Sequence, residues 1–151
     1  MRVAEAKLVT NQVLWASIFA CFVAQVLKVL VVLAKEKKMN FRYLVTSGGM
    51  PSSHSSLVVC LAASTGFVDG WNSSPFAIAV VLAMVVMYDA AGVRQAAGKQ
   101  ARVLNKIMDD WARQQSLSIS EERLKELLGH TPRQVVMGAL LGAFVAGAFF
   151  A

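Results

Sequence analysis

Long apolar runs broken by two polar, basic segments organise this chain. The first run, from Asn11 to Ala34, is interrupted only by Gln25 and Lys28. About 20 helical residues cross a hydrocarbon core of about 30 Å, so the run predicts a membrane-spanning helix. A cleaved signal peptide would have a shorter apolar centre and a small-residue cleavage site, whereas here Lys28 and the cluster Lys35, Lys37 and Lys38 are found. The second run, Ser55 to Val68, is short for a span unless the preceding serines and His54 join the same helix. A turn-like segment at 69–74 leads to the third run, Pro75 to Val93, where Pro75 suits a first helical turn. The last run, Pro132 to Ala151, is again long enough to span. Thr131, Pro132 and Gln134 together form a helix-start signature.

Residues 94–131 differ. Ala97, Ala101, Leu104, Met108 and Trp111 recur at alternating steps of four and three, one face of an amphipathic helix, while Lys99, Arg102, Lys106 and Arg113 occupy the other. Residues 116–120 read as a linker. Ser118 and Glu121 fit a capping box opening a short helix with Leu124, Leu127 and Leu128 inward, and Gly129 fits its stop.

Composition narrows the class. Of 151 residues, 56% are apolar and 16% charged, against about 25% charged in a soluble domain; an ordinary water-soluble globule and a disordered chain are both excluded. The length suits one domain over 1–151. The predicted architecture is all-α: an integral-membrane helical bundle of about four transmembrane helices plus the amphipathic insert at 94–131. Both polar inserts follow odd-numbered spans and therefore share one side. They carry most of the cations behind the net charge of +6, so the positive-inside rule predicts a multi-pass protein with this face cytoplasmic. Such a basic surplus marks cytoplasmic loops rather than a nucleic-acid surface. Cys21 and Cys60 both sit in apolar runs and read as packing residues. Gly138 and Gly142, four apart, allow close approach of a neighbouring helix and offer a face for a homo-oligomer.

The chemistry concentrates on that basic side. The two histidines, His54 and His130, each stand at the start of an apolar run. His54 follows Gly48, Gly49 and Pro51 among Ser52, Ser53, Ser55 and Ser56. Flexible glycines, hydroxyls and a helix N-terminus together suit an oxyanion such as phosphate. His130 lies on a corner between Gly129 and Thr131-Pro132, the fixed placement a nucleophilic imidazole needs. Lys28, Lys35, Arg42 and Arg94 can neutralise a phosphoryl group. Lys28 is the most telling, because a charge inside a span costs about 2.5–3.5 kcal/mol on insertion scales and faces the bundle interior. Asp89 is expected to orient a histidine or to pair with Lys28 or Arg94. Two His and one Asp lack the spacing of a metal site, and no metal or cofactor is expected.

The blocks GGMPSSHSS at 48–56, YDAAGVR at 88–94 with AGKQA and VLN after it, and LLGHTP at 127–132 resemble the divergent branch of the type 2 phosphatidic acid phosphatase superfamily, described as acid phosphatase/vanadium-dependent haloperoxidase-related. The resemblance runs from about Gln25 to Gly142. It implies one phosphate pocket built by three motifs. Lys35 and Arg42 have the first motif's spacing, with Tyr43 in place of its proline and Lys28 as the alternative lysine. Pro51-Ser52-Ser53-His54 resembles the second, with Ser53 for Gly and His54 as general acid. In the third, His130 would be the nucleophile that forms a phosphohistidine; Leu124 stands at the arginine position, so that Arg94 or Arg123 must substitute, and Gln134 stands at the carboxylate position.

The function implied is a membrane phosphatase hydrolysing a lipid or isoprenoid phosphate or diphosphate, its phosphate-binding set being Lys28, Lys35, Arg42, Gly49, Ser52, Ser53, Ser55 and Arg94, and its catalytic set His130, His54 and Asp89. The alternative is a non-catalytic binder or transporter of phospholipid headgroups using the same pocket. A vanadate-dependent haloperoxidase fits a small membrane-embedded chain less well.

Overall fold

The computed structural model describes residues 10–36, 49–115, 123–124, 126 and 128–151. The described elements are all helical: α1 (Gln12–Glu36), α2 (Ser53–Asp69), α3 (Ser74–Tyr88), a π-helical turn (Asp89–Val93), α4 (Arg94–Gln115) and α5 (Pro132–Phe150). Among the described residues, three helical stretches are long and apolar enough to cross a membrane: Gln12–Ala34, the continuous run Ser74–Gln114, and Pro132–Phe150. The chain is thus the all-α membrane bundle its apolar runs predict.

The fourth apolar helix, α2, holds the centre, packing on α5, α1 and α3. Its 17 residues rise about 25 Å at 1.5 Å each, and they include His54 and the serines at 53, 55 and 56, as a span starting from Ser55 requires. Enclosure on three sides explains its composition. Ser53, Ser55, Ser56, Cys60, Ala62, Ser64, Thr65 and Gly66 are buried. Small side chains let helices approach closely where lipid supplies no hydrophobic drive for association. The hydroxyls are satisfied locally or across the contact: Thr65 Oγ1 donates to Leu61 O, and Ser56 Oγ donates to Ala20 O on α1. Both cysteines are free, and Cys60 belongs to the core with Ala16, Ala20, Val145 and Ala146.

Gly138 and Gly142 serve this core. A Cβ at Gly138 would lie 2.2 Å from Ser52 O, and one at Gly142 2.3 Å from Ser56 O. The close approach their spacing predicts is made to α2 of the same chain, and both glycines are buried. Because α2 and α5 contact at 52 with 138 and at 56 with 142, they run parallel and start side by side. Ser52 N–H donates to Gln134 O at 3.1 Å, joining the two helix starts.

Two expectations for the 94–131 insert change. On α4 the buried positions are Gly98, Ala101 and Asn105, whereas Leu104 and Trp111 of the predicted inward stripe are exposed. The short helix over Leu124 and Leu128 is absent: Arg123, Leu124, Glu126 and Leu128 are non-helical and Leu124 is exposed. The cause is an amide clamp. Asn105 Nδ2 donates to Leu124 O at 3.0 Å, and Leu124 N–H donates to Asn105 Oδ1 at 3.2 Å. The backbone hydrogen bonds a helix would make internally are made to α4 instead. Glu126 accepts a further bond from Asn105 Nδ2 and pairs with Arg102. Arg123, Leu124, Glu126, Leu128 and Gly129 thus form a strap lying antiparallel on α4, where Gly98 leaves room for the backbone of Glu126 and Leu128. The linker at 116–120, the Ser118/Glu121 box and Leu127 lie outside the described residues.

Candidate active site

His130 is fixed from three directions. Gly129 has φ +83°, a conformation that favours glycine, and any Cβ there would lie 2.5 Å from Gln95 N. The strap therefore ends flush against the backbone of α4. His130 N–H then donates to Ala90 O at 2.9 Å. That carbonyl is available because the helix is π-helical here: Arg94 N–H reaches back five residues to Asp89 O rather than four to Ala90. Single π turns inside α-helices recur at functional sites. On the other side, Thr131 caps α5 in a full capping box with Gln134, and Pro132 occupies its first turn.

His54 stands in the first turn of α2, after the N-cap Ser52, whose side chain accepts from Ser55 N–H. The parallel start of α2 and α5 brings the two rings together. Their centroids are 6.2 Å apart and edge-on at 61°, within the range of direct ring contact. His130 is 2% exposed, and neither ring nitrogen has a hydrogen-bond partner. His54 is exposed. Burial lowers the pKa of His130 from its usual 6.5; contact with the Gln134 side chain opposes this, and the charge on Lys28 adds to it. The ring is therefore neutral at pH 7, the state a nucleophile requires.

Around the rings stand the cations. Lys28 is 1% exposed and packs its methylenes against Gly49, where a Cβ would meet Lys28 Cγ and Cδ at 3.0 Å. Among the described residues no carboxylate pairs with it. Arg94 forms an ion pair with Asp89, the second of the two partners expected for that carboxylate; Asp89 donates nothing to, and accepts nothing from, either imidazole. His54, Val86, Asp89, Ala90, Arg94 and His130 line one cavity of about 20 Å3, room for about one water-sized group. Arg94 lines this space, the N-terminal turns of α2 and α5 adjoin it through His54 and His130, and the buried Lys28 acts on both rings by its charge, so its field favours an anion.

The phosphate-binding set divides. Gly49 and Arg94 line the cavities. Ser52 and Ser55 are fully buried and hydrogen-bond to each other, and Ser53 is buried beside them; none of the three lines the cavity between the rings, and the hydroxyls of Ser52 and Ser55 are engaged at the cap of α2. The side chain of Lys35 and the whole of Arg42 lie outside the described residues. Behind His130 is a larger groove of about 300 Å3, lined by Gly49, Gln95, Lys99, Arg102, Glu126, Thr131 and Gln134 among others. Sequence reasoning missed this groove, since Lys99 and Arg102 read only as the polar face of a helix. The chemistry-bearing role of Ala90 was equally hidden, because it resides in a backbone carbonyl. Among the described residues no three His, Cys, Asp or Glu groups gather.

Helices of a small membrane bundle, two start-to-start imidazoles and an anion-favouring hollow define the class: the chain belongs to the divergent PAP2 family, whose model matches residues 9–145. It is 38% identical over 145 residues to the uncharacterized membrane protein YuiD of Bacillus subtilis (strain 168), covering 90% of this chain and 92% of that protein. No solved structure matches.

Proposed function

We propose that the protein is a membrane phosphatase acting on a lipid or isoprenoid phosphate or diphosphate through a phosphohistidine. The observation that carries this reading is the 6.2 Å meeting of His54 with a buried, unpartnered His130, beside Lys28 and Arg94 and between two helix N-termini. The lipid chain stays in the bilayer against Val86 and α3 while the phosphoryl group is presented to the two rings at the mouth of the cavity. A neutral nitrogen of His130 attacks phosphorus. The P–O bond to the leaving group breaks as His54 delivers a proton to its oxygen. Water activated by His54 then cleaves the P–N bond and releases inorganic phosphate. Lys28 and Arg94 stabilise the charge on the equatorial oxygens, and Asp89 holds Arg94 at the cavity wall. The active face is cytoplasmic on the positive-inside rule; a tag inserted at 115–119 that is reached only from the opposite side reverses that orientation.

The test is phosphate release from lipid phosphates in detergent micelles. His130→Ala abolishes it, and acid-labile radiolabel on the wild-type chain marks the intermediate. Undiminished release by His130→Ala removes the nucleophile and with it the mechanism.

A second reading, a headgroup binder or transporter without turnover, is favoured by one feature. Gln134 is committed to the capping box and Leu124 stands exposed at the arginine position, so His130 has no carboxylate to orient it. Saturable binding of lipid phosphates with no release across a panel of them would establish this alternative.

A further inference from the structure

The exposed side of α4 has the character of a membrane-surface helix. Val93, Val103, Leu104, Ile107 and Trp111 are 49–58% exposed and at 100° per residue fall on one arc. Lys99, Arg102, Lys106 and Arg113 fall on a second arc, centred about 120° from the first, and the strap covers the third. A helix of low mean apolarity with Trp and Leu on one face and Lys/Arg on the other lies in the interface plane of a bilayer. The preceding helix is long enough to bring the start of α4 to that plane. The residues from Ser74 to Val93 are continuous helix and at 1.5 Å each rise about 30 Å, the thickness of the hydrocarbon core. Arg94 therefore emerges at the surface, directly after a π turn, where helices change direction.

We infer that α4 seats its Val93–Trp111 stripe in the headgroup boundary of the bilayer, with an anionic lipid surface as its partner. The cationic face matches such a surface. A second copy of the chain is the poorer occupant: Gln100 and Gln114 recur in the stripe at seven-residue spacing with Val93 and Ile107, interrupting any helix–helix seam. Through the Asn105 clamp and the Gly129 contact, a seated α4 also gives the strap that ends at His130 a fixed base. The inference concerns placement alone and stands whether or not the histidines turn over substrate.

The full chain carrying Trp15→Phe and Trp71→Phe leaves Trp111 as its sole tryptophan. It is reconstituted in phosphatidylcholine/phosphatidylglycerol vesicles with brominated acyl chains. Trp111 emission is expected to be quenched by bromines, more by those near the glycerol than by those near the chain end, and to be protected from aqueous acrylamide. Open access to acrylamide without bromine quenching overturns the inference. Shielding from both quenchers also overturns it and assigns the stripe to a second copy. If the double variant does not fold, the difference in quenching between the wild-type chain and Trp111→Phe, which alters only an exposed ring, gives the same readout.

Discussion

The backbone N–H of His130 and the carbonyl of Ala90 are joined at 2.9 Å, across 40 positions of sequence. Ala90 can accept because the π turn moves the N–H of Arg94 onto Asp89. One irregularity in a helix thus anchors the imidazole, and the same turn presents Asp89 and Arg94 to the cavity it faces.

That anchorage depends on Gly129. Gly129→Ala places a Cβ against Gln95 N at a φ of +83°, a strain of about 1–3 kcal/mol. The expected result is a lowered unfolding midpoint in detergent and loss of phosphate release. Wild-type behaviour on both counts would mean the corner does not fix His130.

In the proposed mechanism the two histidines have separable tasks. His54→Ala should lose roughly 10²–10⁴-fold on a lipid phosphate but retain much of its rate on p-nitrophenyl phosphate, whose leaving group needs no proton. His130→Ala should fail on both. Equal losses of both substrates in His54→Ala would deny it the role of acid.

The acid limb of the rate profile follows from burial. With the pKa of His130 below 6.5, the neutral ring persists into acid, so the limb that reports its protonation lies below pH 6.5. The linkage has the same sign: the folded state binds fewer protons than the unfolded one, so this group's contribution to stability is intact above 6.5 and falls as pH drops toward the folded pKa. A limb above 6.5 would contradict a buried nucleophile.

The α2–α5 contact leaves no space for a side chain. Gly142→Leu is expected to destabilise by about 1–3 kcal/mol or more through overpacking, read as a drop in unfolding temperature, with the oligomeric state of the detergent-solubilised protein unchanged. A shift in oligomer size with unchanged stability would return the glycines to an intermolecular face.

Asn105→Leu removes the clamp and leaves the backbone of Leu124 without its partners. Faster proteolysis across the strap is expected, with activity falling alongside it. A strap as resistant as in the wild type would show that other contacts suffice.

What was legible in the chain was its one-dimensional physics. Apolar run length fixed the spans, because a bilayer imposes a length on any helix that crosses it. Thr131, Pro132 and Gln134 announced the start of α5, because capping acts over a single turn. The parity of the spans put both histidines at one membrane face. Other relationships required three dimensions. Whether Gly138 faces a second chain or α2 depends on which helix is central, and the small-residue spacing is the same in both cases. The strap on α4 looked like a leucine-bearing helix until Asn105 supplied its hydrogen bonds from outside. Ser52 and Ser55 have the hydroxyls of a phosphate site, yet both are buried in the packing of α2, Ser52 as its cap and Ser55 as a donor to it. Local sequence dictates local hydrogen bonding and transfer into lipid; which polar groups remain free for a ligand is decided only after every helix has found its neighbours.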